Sequence, residues 1–262
     1  ADQLQAKLSP NEKRAIEQAP TTDITAFNLY SRAKPLLERS LLSDAKATLL
    51  EAVDLLNQAV AKDPSYFDAY CQLAYAHDVI YFAGYDHTPA RLAQAEAAIQ
   101  TAFRLRPDAG ESHLARAWNL YWGYLDYDSA LAELEVARQT LPNDPQILFL
   151  TSLIQRRQGR WEECILDLER ASELDPRNVL TLQQLALTYQ QLRRYAEEKS
   201  TYERILAFEP DDPITKSQHA FVELDSKADT RPLHEVTDSI REKNPAAVSS
   251  IADNWLLCAL AE

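Results

Sequence analysis

Six prolines end successive helical segments of this chain, and their spacing restricts the possible fold more than any other feature. By subtraction, the intervals between them are 43, 35, 34, 34 and 35 residues. A period of about 34 residues built from paired helices is typical of a solenoid of helix hairpins. Such a solenoid presents an extended binding surface, and its repeats do not require catalytic residues. The six prolines are Pro64, Pro107, Pro142, Pro176, Pro210 and Pro245.

Small residues recur at fixed distances from these prolines, as expected where two helices approach each other closely. The position five residues before the proline holds Ala59, Ala102, Ala137, Ala171 and Ile205. The position twelve residues before it holds Ala52, Ala95, Ala130, Cys164 and Glu198. The position ten residues after it holds Ala74, Ala117, Ser152, Ala186 and Ala220. The pattern predicts a small-against-large contact in each hairpin and weakens toward the C-terminus.

The segment Trp161–Pro176 (WEECILDLERASELDP) resembles a tetratricopeptide repeat, and the pattern extends over about residues 22–245. The resemblance implies an all-α fold, a right-handed superhelix of about six helix pairs. Residues 22–33 (TDITAFNLYSRA) and 55–64 further resemble bacterial proteins in which such repeats follow a TolB-like, kinase, cyclase or winged-helix domain. This second resemblance implies a scaffold or regulatory module within a larger bacterial signalling or transcription-linked protein.

Helix punctuation divides the chain into three predicted parts. Residues 1–21 form a tail and linker helix, with a capping box at Ser9-Pro10-Asn11-Glu12. The repeat array occupies residues 22–245, and residues 246–262 form one amphipathic helix that covers the last hairpin. The buried side of that helix is predicted to be Trp255, Leu256 and Leu260. The predicted pairs are residues 22–64, 65–107, 108–142, 143–176, 177–210 and 211–245.

Other prolines refine the expected helix boundaries. Thr88-Pro89, Asp144-Pro145 and Asp212-Pro213 predict N-caps followed by proline at the first helical position. Pro35 falls inside the first predicted helix and should kink or end it. The long first interval predicts an insertion of about nine residues around positions 80–88.

Composition excludes several classes of function. The formal net charge of −13 disfavours nucleic acid and anionic membranes as partners. Only four glycines occur, with no phosphate-binding loop, and no nucleophile, metal-ligand or cofactor motif is present. We therefore expect a protein that is not an enzyme and has no catalytic residues, metal or cofactor.

Cysteine usage and the start of the chain bear on its origin. Cys71, Cys164 and Cys258 are widely separated, which favours buried thiols and a reducing compartment. The sequence contains no Met, no secretory signal and no apolar run of membrane-spanning length. We expect an excised piece of a longer protein, without a membrane-inserted segment and with a cytoplasmic location.

The concave face of the predicted solenoid is the candidate binding site for a protein or peptide. Aromatic and arginine side chains carry most of the energy in protein interfaces, and two adjacent arginines suit an acidic or carboxylate-bearing partner. The competing interpretation is that the aromatic side chains pack between helices and the arginines pair with surface acids. Asp78 is also predicted to face the hollow. The predicted groove residues are Tyr75, Trp118, Tyr121, Trp122, Phe149, Arg156, Arg157, Gln183 and Gln190.

Two alternative functions remain open from the sequence. The first is self-association into a homo-oligomer through the terminal helix, with Trp255 and Leu256 at the interface. The second is a small-ligand or metal sensor at the insertion around residues 80–88. Its side chains would be His77, Asp86 and His87.

Overall fold

The computed structural model describes residues 20–40 and 46–260, and these residues form helices and connecting loops with no β-strand. The predicted capping box at Ser9 lies outside the described residues. The prediction of an all-α repeat fold is confirmed. In the described part of the chain, no helix is both long enough and apolar enough to cross a bilayer.

The first of two compact units extends to Gln158. Within it α1 packs on α2, α3 on α4, and α5 on α6, while α3 also contacts α5. The first helix of each hairpin, together with α7, is called an inner helix below. The elements are α1 (Ile24–Ser40), α2 (Lys46–Lys62), α3 (Phe67–Phe82), α4 (Pro89–Leu105), α5 (Gly110–Asn119), a π-helix (Leu120–Tyr124), α6 (Tyr127–Thr140) and α7 (Pro145–Arg157).

The second unit begins at Gly159, inside the predicted pair 143–176. Each of its helices packs on the next from α8 to α12, and the terminal segment contacts α11 and α12. The elements are α8 (Trp161–Leu174), α9 (Val179–Gln191), α10 (Tyr195–Leu206), α11 (Pro213–Lys227), α12 (Arg231–Lys243), a 3₁₀-helix (Pro245–Ile251) and α13 (Ala252–Leu260).

The small residues at the predicted contact positions are buried in both units. The alanines five and twelve residues before each proline are fully inaccessible, and so are Ala74, Ala117 and Ala186 on the facing helices. Side chains this small allow the two backbones of a hairpin to approach closely while larger neighbours fill the adjacent space. The predicted small-against-large contact is confirmed.

The predicted N-caps are also confirmed. The side chains of Thr88, Asp144 and Asp212 accept hydrogen bonds from backbone N–H groups in the first turns of α4, α7 and α11. Proline follows each cap at the first helical position, where its missing N–H costs no helical hydrogen bond. These three helix starts are therefore fixed by local sequence.

Two expectations at the N-terminal end are narrowed by the structure. Pro35 does not end its helix, since α1 continues to Ser40 with Ala33 and Leu37 buried on either side, and the alternative of a kink stays a prediction. Packing on α2 outweighs the local cost of the proline. The extra residues of the first long repeat are also not confined to a loop. They lengthen α3 and α4 and leave only residues 83–88 between these helices.

The terminal segment differs from the predicted single helix. It is a 3₁₀-helix followed by the nine-residue α13. The predicted buried side was wrong, since Trp255, Leu256 and Leu260 are 46%, 52% and 75% exposed. Ile251 and Cys258 are the buried residues instead. Cys258 packs with Ala220 and Leu233.

Gly110 lies where the start of α5 approaches the end of α6. A Cβ atom at this position would meet the Thr140 hydroxyl and lie 2.8 Å from the carbonyl oxygen of Ala137. The second contact is with backbone, so a side-chain rotation cannot relieve it. The absence of a Cβ at residue 110 is therefore a condition for this hairpin geometry.

We expect Gly110→Ala to lower the free energy of unfolding by about 1–3 kcal/mol, because the helices must separate to admit the methyl group. Chemical denaturation monitored by circular dichroism measures the change. Gly84→Asn is the matched control: its φ of +74° suits Asn, and a Cβ atom at residue 84 would have no neighbour within 4 Å. Equal stability of Gly110→Ala and the wild type would contradict the close-approach argument.

Candidate functional site

Five of the predicted groove residues come together in one aromatic cluster of the first unit. The ring centroids of Trp118 and Trp122 are 4.2 Å apart in a stacked arrangement. Tyr75 lies 5.5 Å from each of these two rings. Tyr121 and Phe149 each lie 6.2 Å from Trp118. The cluster therefore joins α3, α5, the π-helix and α7 through their side chains.

The π-helix contributes two of the five rings of the cluster, Tyr121 and Trp122. The carbonyl of Leu120 accepts from the N–H groups of Leu125 and Asp126, which widens the last turn after α5. Tyr121 and Trp122 are consequently both buried. Leu125 then ends the element in the left-handed conformation, with φ 55°. Phe82, which the sequence interpretation missed, is half exposed and stacks on Trp122 at 5.3 Å.

Most of the cluster supports the inner helices rather than facing solvent. Trp118, Tyr121, Trp122 and Phe149 are buried, and only Tyr75 is partly accessible. Aromatic side chains packed in this way fix the relative positions of their helices. Their role as direct ligand contacts stays a prediction, and the structure favours a supporting role for these four rings.

The two arginines lie at the C-terminal end of α7. Arg157 is exposed and Arg156 is partly buried. A hydrogen bond with the side chain of Tyr121 raises the pKa of Arg157. This contact ties an exposed cation to the buried aromatic cluster, and the guanidinium is thereby held near the inner surface of the unit.

Gln183 and Gln190 belong to the second unit. Both lie on α9 and are partly buried. On the same helix, the hydroxyl of Tyr189 donates a hydrogen bond to Glu169 of α8 at 2.6 Å. Arg194, which precedes α10, lies 4.8 Å from the centroid of the Tyr189 ring. The proposed contact of the two glutamines with a peptide stays a prediction.

A cavity of about 260 Å³ opens on the inner helices of the first unit. Its polar lining is mainly acidic, from Asp68, Glu111 and Asp144, with Gln72 and Gln146 beside them. Tyr30, Tyr75 and Trp118 form the aromatic part of the wall. Asp144 caps α7 through the Gln146 N–H at 2.8 Å.

The position of this cavity could have been predicted from sequence distances to the repeat prolines. Residues four, seven, eight and eleven places after Pro64 line it, and so do the residues at the same offsets from Pro107. These offsets form one stripe of an α-helix. The sequence interpretation placed the groove further along each helix, and it therefore found Tyr75 and Trp118 but missed the acids of the first turn.

Asp78 does not face a hollow, and this prediction was wrong. The side chain is fully inaccessible and accepts a hydrogen bond from Asn119 Nδ2 at 2.8 Å. Burial raises the pKa of Asp78 to about 8, although the Asn119 hydrogen bond lowers it. Asp78 Oδ2 and Asn119 Oδ1 both lack a partner among the described residues. A proton on Asp78 supplies the donor that this buried acid–amide pair lacks.

At the insertion, the side chain of Arg91 contacts two of the three predicted sensor residues, His77 and Asp86. Arg91 Nη1 contacts His77 Nδ1 at 2.9 Å, and Arg91 Nη2 contacts Asp86 at 2.9 Å. His87 instead stacks on Tyr81 with centroids 3.8 Å apart. No group of three or more His, Cys, Asp or Glu residues suited to a metal occurs in residues 20–40 and 46–260.

Comparisons with known proteins identify the repeat. A family model described as tetratricopeptide repeat matches residues 180–212. A stretch of 77 residues is 35% identical to sperm-associated antigen 1 of Mus musculus and covers 29% of this chain. The chain spans only 8% of the length of that relative.

Several crystal structures share the fold at low sequence identity. The Cut9–Hcn1 hetero-tetramer of the APC/C has a TM-score of 0.61 at 16% identity, covering 95% of this chain and 46% of the matched chain. PilW, a type IV pilus biogenesis factor, has a TM-score of 0.58 at 13% identity, with coverages of 88% and 100%. A thermophilic tetratricopeptide repeat protein of Thermus thermophilus has a TM-score of 0.57 at 17% identity, with coverages of 73% and 99%.

The repeat match and these structures define the class of protein. The chain contains a segment that matches the tetratricopeptide repeat, residues 180–212, and its described residues share the all-helical fold of the matched structures. Stacked repeats of this kind create extended surfaces that are suited to protein–protein interaction.

The acid–amide pair predicts a pH-dependent stability. The native state keeps on Asp78 a proton that the unfolded chain releases near pH 3.8, so the free energy of unfolding should decrease as the pH rises from there to about 8. Asp78→Asn should remove the contribution of residue 78 to this decrease. The introduced side-chain amide does not titrate in this pH range, and it can donate a hydrogen bond to Asn119 Oδ1. Urea denaturation across this pH range measures both proteins.

Glu198 provides the matched control, because it lies in the second unit. It is 1% exposed, neither carboxylate oxygen has a partner among the described residues, and burial raises its pKa from 4.5 to about 7. Glu198→Gln should therefore make the decrease between about pH 4.5 and 7 less steep and leave the Asp78 contribution, including the decrease between pH 7 and 8. An Asp78→Asn variant that retains that upper decrease would refute a protonated Asp78.

Proposed function

We propose that the first unit binds a short segment of a partner protein on its inner helices, with the cavity at the centre of the site. The observation that carries this proposal is the cavity itself, lined at matching repeat offsets by α3 and α5 and completed by α1 and α7. Repetition of the lining from helix to helix suits a ligand that is itself an extended chain.

The buried aromatic cluster contributes rigidity to the proposed site. Ordering a flexible surface on binding costs affinity, and a site held in place before the ligand arrives avoids part of that cost. Trp118 belongs to both the cluster and the cavity wall. The amides of Gln72 and Gln146 can donate to and accept from a peptide backbone, whichever side chains the peptide carries.

Arg156 and Arg157 extend the proposal to the other end of α7. Thirteen residues of helix place them about 18 Å along the axis from the helix start beside Asp144. We propose that an acidic or carboxylate group of the same partner binds there. Gln183 and Gln190 belong to the second unit, and we propose separately that they contact a peptide bound to that unit. The role in a larger bacterial signalling protein rests on the sequence resemblance and stays a prediction.

The hetero-tetrameric state of Cut9–Hcn1 supports protein binding as the general function. In that complex a protein of the same fold assembles with a different chain. The negative charge of the chain is consistent with the expectation that nucleic acid and anionic membranes are not its partners.

Short peptides that bind the wild-type protein are first selected from a random-sequence array. We expect Gln72→Trp to abolish their binding, because the indole would fill the cavity. Fluorescence anisotropy with the selected peptides measures the affinity, and circular dichroism verifies the fold. Gln94→Trp, on the exposed face of α4, is the matched control and should bind normally.

A second variant tests the arginine pair. Reversal of both charges in Arg156→Glu/Arg157→Glu should weaken acidic peptides from the same array by more than about tenfold. Unchanged affinity would remove the arginines from the site. Selected peptides that bind the Gln72→Trp variant as tightly as the wild type would remove the cavity and overturn the proposal for the first unit.

Self-association is a second candidate, favoured by one observation. Four large apolar side chains of α13 are exposed, Trp255, Leu256, Leu257 and Leu260, on a helix of nine residues. Exposed apolar side chains that are concentrated on one short helix often mark a protein interface. We propose that a second copy of the chain covers it.

If so, sedimentation velocity should show a dimer that Leu256→Glu converts to monomer, because the charge would be buried without a partner. Val136→Glu replaces an exposed apolar residue of α6 and should leave the dimer intact. A wild-type protein that stays monomeric at high concentration would eliminate this candidate.

A further inference from the structure

We infer that two copies of the chain exchange their terminal helices, so that α13 of each copy lies in a groove on the α11–α12 hairpin of the other. The inference rests on self-association, the second proposed function, and names the surface that receives the apolar helix. This surface, called the hairpin groove below, is formed by the start of α11 and the second half of α12 and encloses about 500 Å³.

One stripe of α13 is apolar and exposed. Leu256, Leu257 and Leu260 are between 48% and 75% exposed. They are three or four positions apart, so they share one side of the helix. Asn254 and Cys258, also four positions apart, hold a different side against the α11–α12 hairpin. The helix is thus fixed to its own chain by one side and offers its leucines on another.

The apolar stripe and the hairpin groove do not cover each other within one chain. None of the described residues 252–260 lines the groove of its own copy. The leucines are exposed while the groove is open, although both belong to the last helices of the same unit. A second copy brings to each of these two surfaces the other one.

The size and lining of the hairpin groove suit the side chains of a helix. Pockets for drug-sized ligands measure about 300–1,000 Å³, and this groove lies within that range. Pro213, Val236 and Ile240 supply apolar contacts. Amphipathic helices bind to proteins in this manner, with apolar anchors three or four positions apart in a hydrophobic groove.

The charges of the two surfaces are complementary. Asp253 lies three positions before Leu256, on the exposed stripe, and is the only charged residue between positions 245 and 260. The groove is lined by two lysines, Lys216 and Lys243, and by one acid, Asp211. On a chain with a net charge of −13, a groove with more basic than acidic residues favours an acidic partner surface.

The acid of the groove leaves its lysines available. Lys216 Nζ lies 2.9 Å from Asp211 Oδ1, and the side chain of Asp211 is 97% exposed. The hydrogen bond from Lys216 lowers the pKa of Asp211, and the charge of Lys243 lowers it further. Exposed ion pairs of this kind stabilise little. One of the two lysines can therefore pair with Asp253 of a second copy at small cost.

Reciprocal exchange gives a closed dimer. Each copy offers one α13 and one hairpin groove, so a twofold arrangement fills both grooves and covers both helices. Closed twofold dimers are the commonest protein assemblies, whereas a one-way contact continues into an open chain. We therefore expect a dimer and no longer assembly.

Sedimentation equilibrium of the full chain tests the groove. Ser239 lines it and is partly exposed. Ser239→Trp should raise the dissociation constant of the dimer at least about tenfold, because the indole would occupy the space that the leucines need. Glu235→Trp, at an exposed position of the same helix outside the groove, is the matched control and should dimerise as the wild type does. Circular dichroism verifies the fold of both variants.

Mixing two variants distinguishes exchange from a contact between two α13 helices. Leu256→Glu damages the helix, and Ser239→Trp damages the groove. Each variant alone should be monomeric, but their mixture should form a heterodimer, since one intact helix then meets one intact groove. Fluorescence-detected sedimentation with one labelled variant measures it. A mixture that stays monomeric would overturn the inference.

Charge reversal tests the ionic contact. Lys216→Glu/Lys243→Glu should weaken dimerisation about tenfold or more, because Asp253 would then face like charges. Adding Asp253→Lys to the double variant should restore most of the affinity, which a general loss of folding would not allow. Failure of this rescue would also contradict the exchange.

The same measurements separate the inference from the proposed function. If Ser239→Trp dimerises as the wild type does while Leu256→Glu is monomeric, the helices associate elsewhere. The inference then falls and self-association stands. A wild-type chain that stays monomeric at high concentration removes self-association and the inference together.

Discussion

The contact between small residues inside each hairpin determines where every other side chain can lie. Ala52, Ala95 and Ala130 are fully inaccessible, and Gly110 lacks the atom that would collide with the α6 backbone. Helices held this closely cannot rotate without collision, because interiors are packed as densely as organic crystals. The stripe four, seven, eight and eleven residues after each proline is consequently turned to the same side in α3 and α5. The cavity is a product of this repeated contact.

Two polar residues occupy places where the repeat would favour small or apolar side chains. Asp78 is buried against Asn119 in the first unit, and Glu198 takes the alanine position of α10 in the second. A buried carboxylate without enough donors is costly, so each of these groups favours its neutral form. Asp78 and Glu198 therefore each bind a proton more readily in the folded state than in the unfolded state. Glu198 departs visibly from the repeat pattern, because alanine or cysteine holds the same position in the four preceding repeats. The burial of Asp78 has no such sign in the sequence and depends on its contact with Asn119 of α5.

The proline period and the small residues were sufficient to predict the helix order, the hairpin contacts and the three proline-associated caps. Each depends on residues that are local in sequence or recur at a fixed offset. Prediction failed where a non-local contact decided the outcome. Pro35 stays inside α1 because α2 packs against its neighbours, and the orientation of α13 depends on which stripe meets Leu233. The π-helix has no marker in the sequence, yet it determines how Tyr121 and Trp122 are buried.

The aromatic residues illustrate why residue type alone does not define a binding surface. Tryptophan and arginine are enriched among interface residues with large energetic effects, and this enrichment led the sequence interpretation to Trp118, Trp122 and the arginine pair. In the structure most of these rings are enclosed, so their contribution to a ligand would act mainly through the stiffness of the wall. The acids of the first turns are common at helix starts and therefore attracted no attention as a site. The structure adds what no single helix shows: three such starts line one cavity together with three aromatic residues. The acids and the aromatic rings are brought together only by the packing of several helices, which no pattern within one helix shows.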